Sequence, residues 1–492
     1  MDFAIAIGFF VLTFLTRIGN LLSIPIFTDE AIYIRWAQIG LADPAHRFIA
    51  LTDGKQPLLT WFMYPLLPIF SDPLVSGRMV SVIAASFACI GMYFVGKVLF
   101  GRTVGILSAL FYLLSPFTLV YDRLALMDSL LGMFGIWSIF LSIFLAKKLR
   151  LDVALLLGIV SGFGALTKSS AFFFIFNLPL AYLLFPKHTS NRGKGILKFI
   201  GLSLISILIV QLMYNLLRLS PWFYLIRQKN YSFVLTISEF LQNPFSLFVS
   251  NLHGLIPWIF GYLTIPISIL IFLGIVIGFY KRDKALLYLF FWFFIPFVFL
   301  AAFGKVIFPR FLLFMSYPLL IIGANEFFSI LEILKKKKIV RILFFSLIIV
   351  YPLIDSFLLI TDPVKADIPK NDRNQLMDDW PSGYGVREVV SFLDQQSKYG
   401  KVVIGTEGTF GLFPAVFEIY LKSNPNIEIY GYWPVSEVPA ELLLKAQSYP
   451  TYLVFKEKQK IPESWPLKLL AKYRRGGGDT YLLFYQVVGI AQ

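Results

Sequence analysis

The sequence predicts an α-helical membrane protein that crosses the bilayer many times and ends in a small α/β domain. Of its 492 residues, 57% are hydrophobic and 15% are charged, whereas soluble domains average about 25% charged residues. The mean hydropathy is +0.73, and the apolar runs shorten after residue 360. These observations exclude a cytosolic enzyme, a disordered tail and a secreted disulfide scaffold.

The apolar runs predict the transmembrane helices. A spanning helix needs about 20 apolar residues. Residues 1–360 contain about eleven such runs, at roughly 3–22, 77–99, 103–121, 127–146, 151–167, 170–186, 196–217, 254–280, 285–303, 311–330 and 340–360. The first run has neither a basic leading segment nor a small-residue cleavage site, so we expect a retained helix and not a signal peptide.

The distribution of charge predicts the orientation. Residues 1–360 carry 29 Lys and Arg against 14 Asp and Glu, whereas residues 361–492 carry 15 of each. The basic residues concentrate in every second loop, the last of which contains Lys335–Lys338. The positive-inside rule assigns these loops to the cytoplasm of a cell-membrane protein and the C-terminal domain to the extracytoplasmic side. A nucleic-acid partner is not expected, because such proteins cluster basic residues on a soluble face.

The first outer loop, residues 23–76, contains an unusual apolar segment. Residues 57–70 are apolar and include Pro57, Pro65 and Pro68. The segment is too short to cross the bilayer and too broken for a straight helix, which predicts an interfacial or re-entrant loop. Such a loop suits a protein that handles an amphiphile at the membrane surface and contacts membrane lipid.

Residues 361–492 predict a separate soluble domain. Short β-rich stretches and helical patterns alternate along it, as in a small α/β domain. The stretches lie at 401–406, 427–431, 451–455 and 480–487, and the helical patterns at 384–398 and 436–447. The sequence GTEGTFG (405–411) follows a strand but lacks the GxGxxG spacing of a phosphate-binding loop, so we expect a turn.

Acidic residues near apolar runs are functional candidates, because charge at membrane depth is costly. Asp29 and Glu30 are adjacent, and adjacent residues of a helix cannot share a face. One carboxylate would then face a site while the other orients a neighbour or binds a cation. The alternative is that Thr28-Asp29-Glu30 only begins a helix. Asp128 also lies inside an apolar run.

A second acidic position, Asp122, has a simpler interpretation. It precedes Arg123 directly, between two predicted spans. We expect a short polar turn that contains a local ion pair between these two residues.

Four basic residues are candidates for binding phosphate: Lys55, Lys168, Arg310 and Arg123. They lie at the predicted outer boundary, against the positive-inside trend. Arginine binds phosphate through two parallel hydrogen bonds and lysine through a point charge. The alternative is that these side chains only extend to the headgroups.

No cofactor is predicted with certainty. His46, His188 and His253 are scattered and have no zinc-ligand spacing. A divalent cation held by carboxylates alone is the alternative that the sequence leaves open.

The candidate residues fall within motifs that occur in a fixed order along the chain. These are Asp29-Glu30, GKQPLLTW (54–61), Ser76-Gly77-Arg78, LSPFTLVYDRLALMDSLL (114–131) with Asp128, LTKSS (166–170) and PRFLLFMSYPLL (309–320). In this order they resemble the GT-C class of membrane glycosyltransferases, specifically the group of protein O-mannosyltransferases and the lipid A aminoarabinose transferase. Gln56, Ser169 and Ser170 depart from that pattern, which has proline, glycine and proline there.

The resemblance implies a GT-C-like catalytic domain over residues 1–360 and an extracytoplasmic α/β domain over residues 361–492. It implies inverting transfer of a sugar, mannose or another hexose or pentose, from a polyprenyl-phosphate donor to a protein, lipid or glycan acceptor. Asp29 would accept the proton of the acceptor hydroxyl or orient it, and Glu30 and Asp128 would be the other catalytic acids, which orient neighbours or hold a metal. The donor phosphate would be held by Lys55, Arg310, Lys168 and Arg123. The alternative is a transporter or flippase for a lipid-linked sugar.

Overall fold

A computed structural model describes residues 1–186 and 192–489. Its membrane part consists of the helices α1 (Asp2–Ile18), α2 (Thr28–Ala42), α3 (Leu58–Met63), α4 (Pro73–Phe100), α5 (Arg102–Leu114), α6 (Pro116–Asp122), α7 (Met127–Lys148), α8 (Leu151–Thr167), α9 (Phe172–Phe176), α10 (Arg192–Asn215), α11 (Tyr224–Phe233), α12 (Ile237–Gln242), α13 (Phe248–Leu263), α14 (Ile265–Lys281), α15 (Lys284–Phe303), α16 (Leu313–Ile333) and α17 (Lys338–Thr361). Short 3₁₀ turns join them at Pro44–His46, Ile49–Asp53, Ser169–Ala171, Leu178–Leu184, Leu216–Leu219, Pro309–Leu312, Leu334–Lys336 and Pro363–Lys365.

Helical structure lies at all eleven predicted spans, and the chain is a multi-pass membrane protein. Within the described residues, six helices are long and apolar enough to cross a membrane, and two bent pairs raise this number to eight. The run 254–280, which was expected to be one span, is sharply bent. It consists of α13 and α14, which meet at an angle of 109°. Pro266 follows the junction at Thr264, and proline cannot donate the hydrogen bond that would continue the preceding helix.

The C-terminal part is an α/β domain, as predicted. It contains α18 (Lys370–Arg373), α19 (Val386–Ser397), α20 (Leu412–Leu421), α21 (Ala440–Lys445), β1 (Val402–Glu407), β2 (Ile427–Tyr432), β3 (Thr451–Phe455), β4 (Leu467–Arg474) and β5 (Tyr481–Val487). The strand order is β2-β1-β3-β5-β4. The first three strands along the chain are parallel, and β5 runs antiparallel to β3 and β4. The sequence patterns did not predict β4 or α20.

The C-terminal domain lies directly against α2. Arg35 on α2 forms an ion pair with Glu418 on α20 at 2.8 Å, and Gln38 donates to the Ile419 carbonyl at 2.9 Å. At the other end of α2, the backbone N–H and the hydroxyl of Thr28 both donate to the Pro381 carbonyl. The helix that carries Asp29 is therefore held at both ends by the C-terminal domain.

Candidate active site

Asp29 and Glu30 begin α2, and their side chains go to different surroundings. The helix start at Thr28, which was the alternative interpretation, occurs, and the two carboxylates also have different partners, as expected of adjacent helical residues. Glu30 is fully buried and accepts from Nε and Nη2 of Arg78, each at 2.8 Å. It also accepts the backbone N–H groups of Phe27 and Ala125. Glu30 therefore joins α2 to α4 and the turn before α7, and has no free oxygen for a substrate.

The carboxylate of Asp29 lies between two cations. Its Oδ2 is 3.1 Å from Nη2 of Arg310, and its Oδ1 is 3.5 Å from Nζ of Lys55. The three side chains are 17%, 14% and 19% exposed respectively. Unlike Glu30, Asp29 therefore keeps part of its surface open at the end of the helix bundle that faces the C-terminal domain.

A second ion pair adjoins the first. Nζ of Lys168 is 2.7 Å from Oδ1 of Asp128, and the same ammonium lies 4.5 Å from the ring centroid of Phe311. Phe311 directly follows Arg310, so the two ion pairs lie next to each other. Asp128 is in the first turn of α7, where a negative charge is favourable. We call Asp29, Lys55, Arg310, Lys168 and Asp128 the charged cluster.

The electrostatics of the charged cluster keep Asp29 ionised. Burial raises the pKa of Asp29, but the charges of Lys55 and Arg310 outweigh this and lower the pKa to about 2. Burial also lowers the pKa of Lys55, but the carboxylates of Asp29 and Asp53 outweigh this and raise it above its usual range. At neutral pH the site therefore contains a carboxylate that is fully ionised between protonated cations.

Two residues that depart from the family pattern contact each other. Nε2 of Gln56 donates to Oγ of Ser169 at 2.7 Å. Gln56 follows Lys55, and Ser169 follows Lys168. The hydrogen bond therefore joins the two loops that carry the lysines of the charged cluster.

Arg123 does not join the charged cluster, although it was expected to bind the donor phosphate. It is buried and donates to the carbonyl groups of Leu359, Gly19 and Asn20. These backbone oxygens accept from Nη1 and Nη2 of the guanidinium and tie α6 to α17 and to the loop after α1. The expected phosphate contact is replaced by a structural one.

Asp122 also has a different partner from the one expected. Nε of Arg17 on α1 lies 3.2 Å from its carboxylate, and both side chains are fully buried. Tyr112 and Ser129 donate to the same carboxylate. The expected local pair with Arg123 is wrong, because Arg123 points toward α17 instead.

Sequence reasoning missed further charged residues beside the cluster. Asp53 lies 3.6 Å from Lys55 and 2.6 Å from Lys229 on α11. Gly54 permits this approach: its φ is +64°, and a Cβ there would lie 2.5 Å from the Leu225 carbonyl oxygen. Asp53 is two residues from Lys55 and could have been proposed from that proximity, whereas no local pattern indicates Lys229.

Asp372 is a third missed residue, and it comes from the C-terminal domain. Tyr121 and Tyr262 both donate to its Oδ2. Burial raises the pKa of Asp372 to about 6, although the two tyrosine hydrogen bonds and the charge of Arg310 act in the opposite direction. This carboxylate therefore fastens the C-terminal domain to α6 and α13.

The histidines lie apart from the charged cluster or outside the described residues. His46 pairs with Asp43 at 2.7 Å, and Lys187 and His188 lie outside the described residues. Over residues 1–186 and 192–489, no three His, Cys, Asp or Glu side chains are grouped so as to hold a metal ion. The acids of the charged cluster are instead paired with cations.

Two comparisons show what the chain is similar to: a family model that matches part of it, and solved structures that have a similar fold. Residues 54–214, about a third of the chain, match the model of the family described as dolichyl-phosphate-mannose-protein mannosyltransferase. A comparison with curated proteins gives no match. The family match supports a glycosyltransferase that uses a lipid-linked sugar.

Solved structures share the fold over nearly the whole chain. ArnT from Cupriavidus metallidurans bound to undecaprenyl phosphate aligns with a TM-score of 0.60 and 13% identity, over 99% of each chain. The oligosaccharyltransferase AglB from Archaeoglobus fulgidus, in complex with an inhibitory peptide and a dolichol-phosphate, aligns with a TM-score of 0.54 and 13% identity. That alignment covers 92% of this chain and 69% of AglB. The expected GT-C fold is thereby confirmed.

Proposed function

We propose that the protein transfers a hexose or pentose from a polyprenyl-phosphate donor to an acceptor on the extracytoplasmic face of the membrane, with inversion at the anomeric carbon. The observation that carries this proposal is the partly exposed carboxylate of Asp29 between Lys55 and Arg310. The carboxylate supplies a proton acceptor. The adjacent cations supply the positive charge that stabilises a departing phosphate.

The proposed reaction is a single displacement. The acceptor oxygen forms a bond to the anomeric carbon while the bond from that carbon to the phosphate oxygen breaks. The acceptor proton passes to Asp29, and the polyprenyl phosphate leaves with the electron pair of the broken bond. Lys55, Arg310 and Lys168 hold the phosphate as its charge increases.

Donor binding and activation of the base are coupled in this proposal. In the structure Lys55 and Arg310 are already engaged by Asp29, which is why its pKa is low and its basicity weak. A lipid phosphate at the same cations shares their charge, so the pKa of Asp29 rises toward its ordinary value. The carboxylate then accepts the hydroxyl proton more readily, and only when donor is present.

The acceptor approaches from the C-terminal domain. The loop 408–411 packs against α2, where the rings of Phe410 and Trp36 are 6.3 Å apart. Phe410 and Trp433 are each more than half exposed, and such aromatic faces provide apolar contact area with a polar surrounding. The reaction product will identify whether the acceptor is a protein, a lipid or a glycan.

The proposal is tested by mass spectrometry of products after mixed polyprenyl-phosphate sugars and membrane extract are offered to the purified protein in detergent, without any gradient. We expect free polyprenyl phosphate together with a glycosylated acceptor. Asp29→Asn should give neither product, whereas Asp43→Asn, an exposed acid at the far end of the same helix, should behave as wild type. Movement of intact donor across vesicles without bond cleavage would instead establish the flippase alternative.

A further inference from the structure

The most basic segment of the chain lies at the end of the helix bundle opposite the charged cluster. Helix α16 ends at Ile333, a 3₁₀ turn covers Leu334–Lys336, and α17 begins at Lys338. We call Lys335–Lys338 and Arg341 the basic turn. All five side chains are exposed. The proposed sugar transfer uses none of them.

The basic turn has a surplus of positive charge that the described residues do not balance. Lys335 lies 3.6 Å from Glu332, but no described acid lies within ion-pair distance of Lys336, Lys337, Lys338 or Arg341. These cations surround the N-terminus of a 24-residue helix, which has no side-chain cap. A helix N-terminus carries a partial positive charge and is stabilised by anions, so the cations add to an unfavourable potential.

Two other helices that begin at this end of the bundle, α1 and α15, balance their charge locally. Asp2 at the start of α1 pairs with Lys97 and Arg102. Asp283 caps α15 by accepting backbone N–H groups of its first turn. The chain thus supplies anions at these termini, and α17 is arranged for an anion that the described residues do not provide.

A groove lies beside the same helix terminus. It has a volume of about 380 Å³ and is lined by Leu331, Ile342 and Phe345 together with Lys338 and Arg341. The apolar residues form one part of the groove, and the two cations lie within one helical turn of each other at its edge. A free anion would use only the cations, whereas an amphiphile with an anionic head would use both parts.

We propose that this groove binds an anionic phospholipid of the leaflet that contacts the basic turn. The phosphate lies between Lys338 and Arg341 near the N-terminus of α17, and an acyl chain lies along Ile342 and Phe345. Basic pockets between transmembrane helices bind anionic headgroups in this way. The occupant is a lipid and not free phosphate, because the groove joins cations to apolar surface.

The test uses the full-length protein reconstituted in nanodiscs of phosphatidylcholine mixed with phosphatidylglycerol, followed by native mass spectrometry of retained lipid. The double variant Lys338→Ala/Arg341→Ala should retain about tenfold less phosphatidylglycerol than wild type. The control Lys147→Ala/Lys148→Ala removes two cations from the same side, at the end of α7. It should change retention by no more than about twofold.

A second variant separates a lipid from an inorganic anion. Ile342 is about half exposed, so Ile342→Gln should weaken lipid retention without unfolding the protein. The melting temperature of wild type should rise with phosphatidylglycerol and stay unchanged with inorganic phosphate. The proposal is overturned if both double variants lose lipid equally, if Lys338→Ala/Arg341→Ala retains as much lipid as wild type, or if inorganic phosphate stabilises the protein equally well.

Discussion

Asp29 of the charged cluster and Glu30 of the buried ion pair are neighbours in the chain, but their carboxylates have different roles. Glu30 is fully buried, and fixed donors from Arg78 and two backbone N–H groups satisfy it. Asp29 is partly exposed and meets only the ends of two long, flexible cations. A carboxylate with fixed donors holds helices together, whereas a carboxylate with movable partners can exchange them for a substrate.

The largest expected effect is on catalysis at Asp29. Asp29→Asn removes the proton acceptor but keeps the shape of the side chain, so turnover should fall by about 10²- to 10⁴-fold. The variant should still fold, with a modest loss of stability from its two ion pairs, and donor affinity should stay equal or increase because the cations lose a competitor. Turnover and donor binding of the purified variant check this, with Asp43→Asn as the control. Full turnover would remove Asp29 as the base.

Glu30 should show the reverse pattern. Glu30→Gln leaves the guanidinium of Arg78 buried without its counter-charge, and breaking a buried pair in this way costs about 3–5 kcal/mol of stability. We therefore expect a large drop in melting temperature, measured in the same detergent, while Asp29→Asn should lower it much less because the partners of Asp29 are partly exposed. If Glu30→Gln were as stable as wild type and inactive, the structural assignment of Glu30 would be wrong.

The cations of the charged cluster should affect donor affinity more moderately. Hydrogen bonds to charged groups contribute about 1.5–3 kcal/mol, so Lys55→Ala and Arg310→Ala should each weaken donor binding by roughly tenfold to a hundredfold. Lys305→Ala is the matched control, because Lys305 is close to Arg310 in the chain but pairs with Glu239. Equal donor affinity in Arg310→Ala and Lys305→Ala would contradict the phosphate role.

The residues of the charged cluster could be selected from the sequence because they lie in motifs that occur in a recognisable order. Asp29, Lys55, Lys168 and Arg310 were selected as charges beside apolar runs, and the structure brings them together with Asp128. The resemblance supplied their grouping, since spacing along the chain does not fix which helices are neighbours. The strands and the bend at Pro266 depend on local sequence patterns, so such features can be predicted from the sequence.

Long-range structural pairs could not be predicted in the same way. Arg17 and Asp122 are 105 residues apart, and either could have faced lipid, a cavity or another partner. Arg123 looked like a phosphate ligand from its position, but the choice between a substrate and the carbonyl of Leu359 depends on how α17 packs. Asp372 belongs to a soluble domain by composition, yet it inserts between two tyrosines of the membrane domain.

The smallest expected effect is that of Asp372 on the pH dependence of stability. The pKa of Asp372 is about 6 in the folded protein, above the value of about 3.9 for an unfolded chain. The folded state therefore binds more protons between these values, and this group makes stability fall as the pH rises from about 4 to about 6. Asp372→Asn keeps an acceptor for the tyrosines and should remove that part of the slope.

The pH dependence separates Asp372 from Asp29 because the two shifts have opposite signs. The pKa of Asp29 is lowered to about 2, so its ion pairs stabilise the fold at neutral pH and lose that effect only as the pH falls from about 4 toward 2. The difference between the melting temperatures at pH 5 and pH 7.5 should therefore be a few degrees smaller in Asp372→Asn than in wild type. The difference between the two pH values should be the same in Asp29→Asn as in wild type. A changed difference in Asp29→Asn would mean that its carboxylate is not held ionised by Lys55 and Arg310.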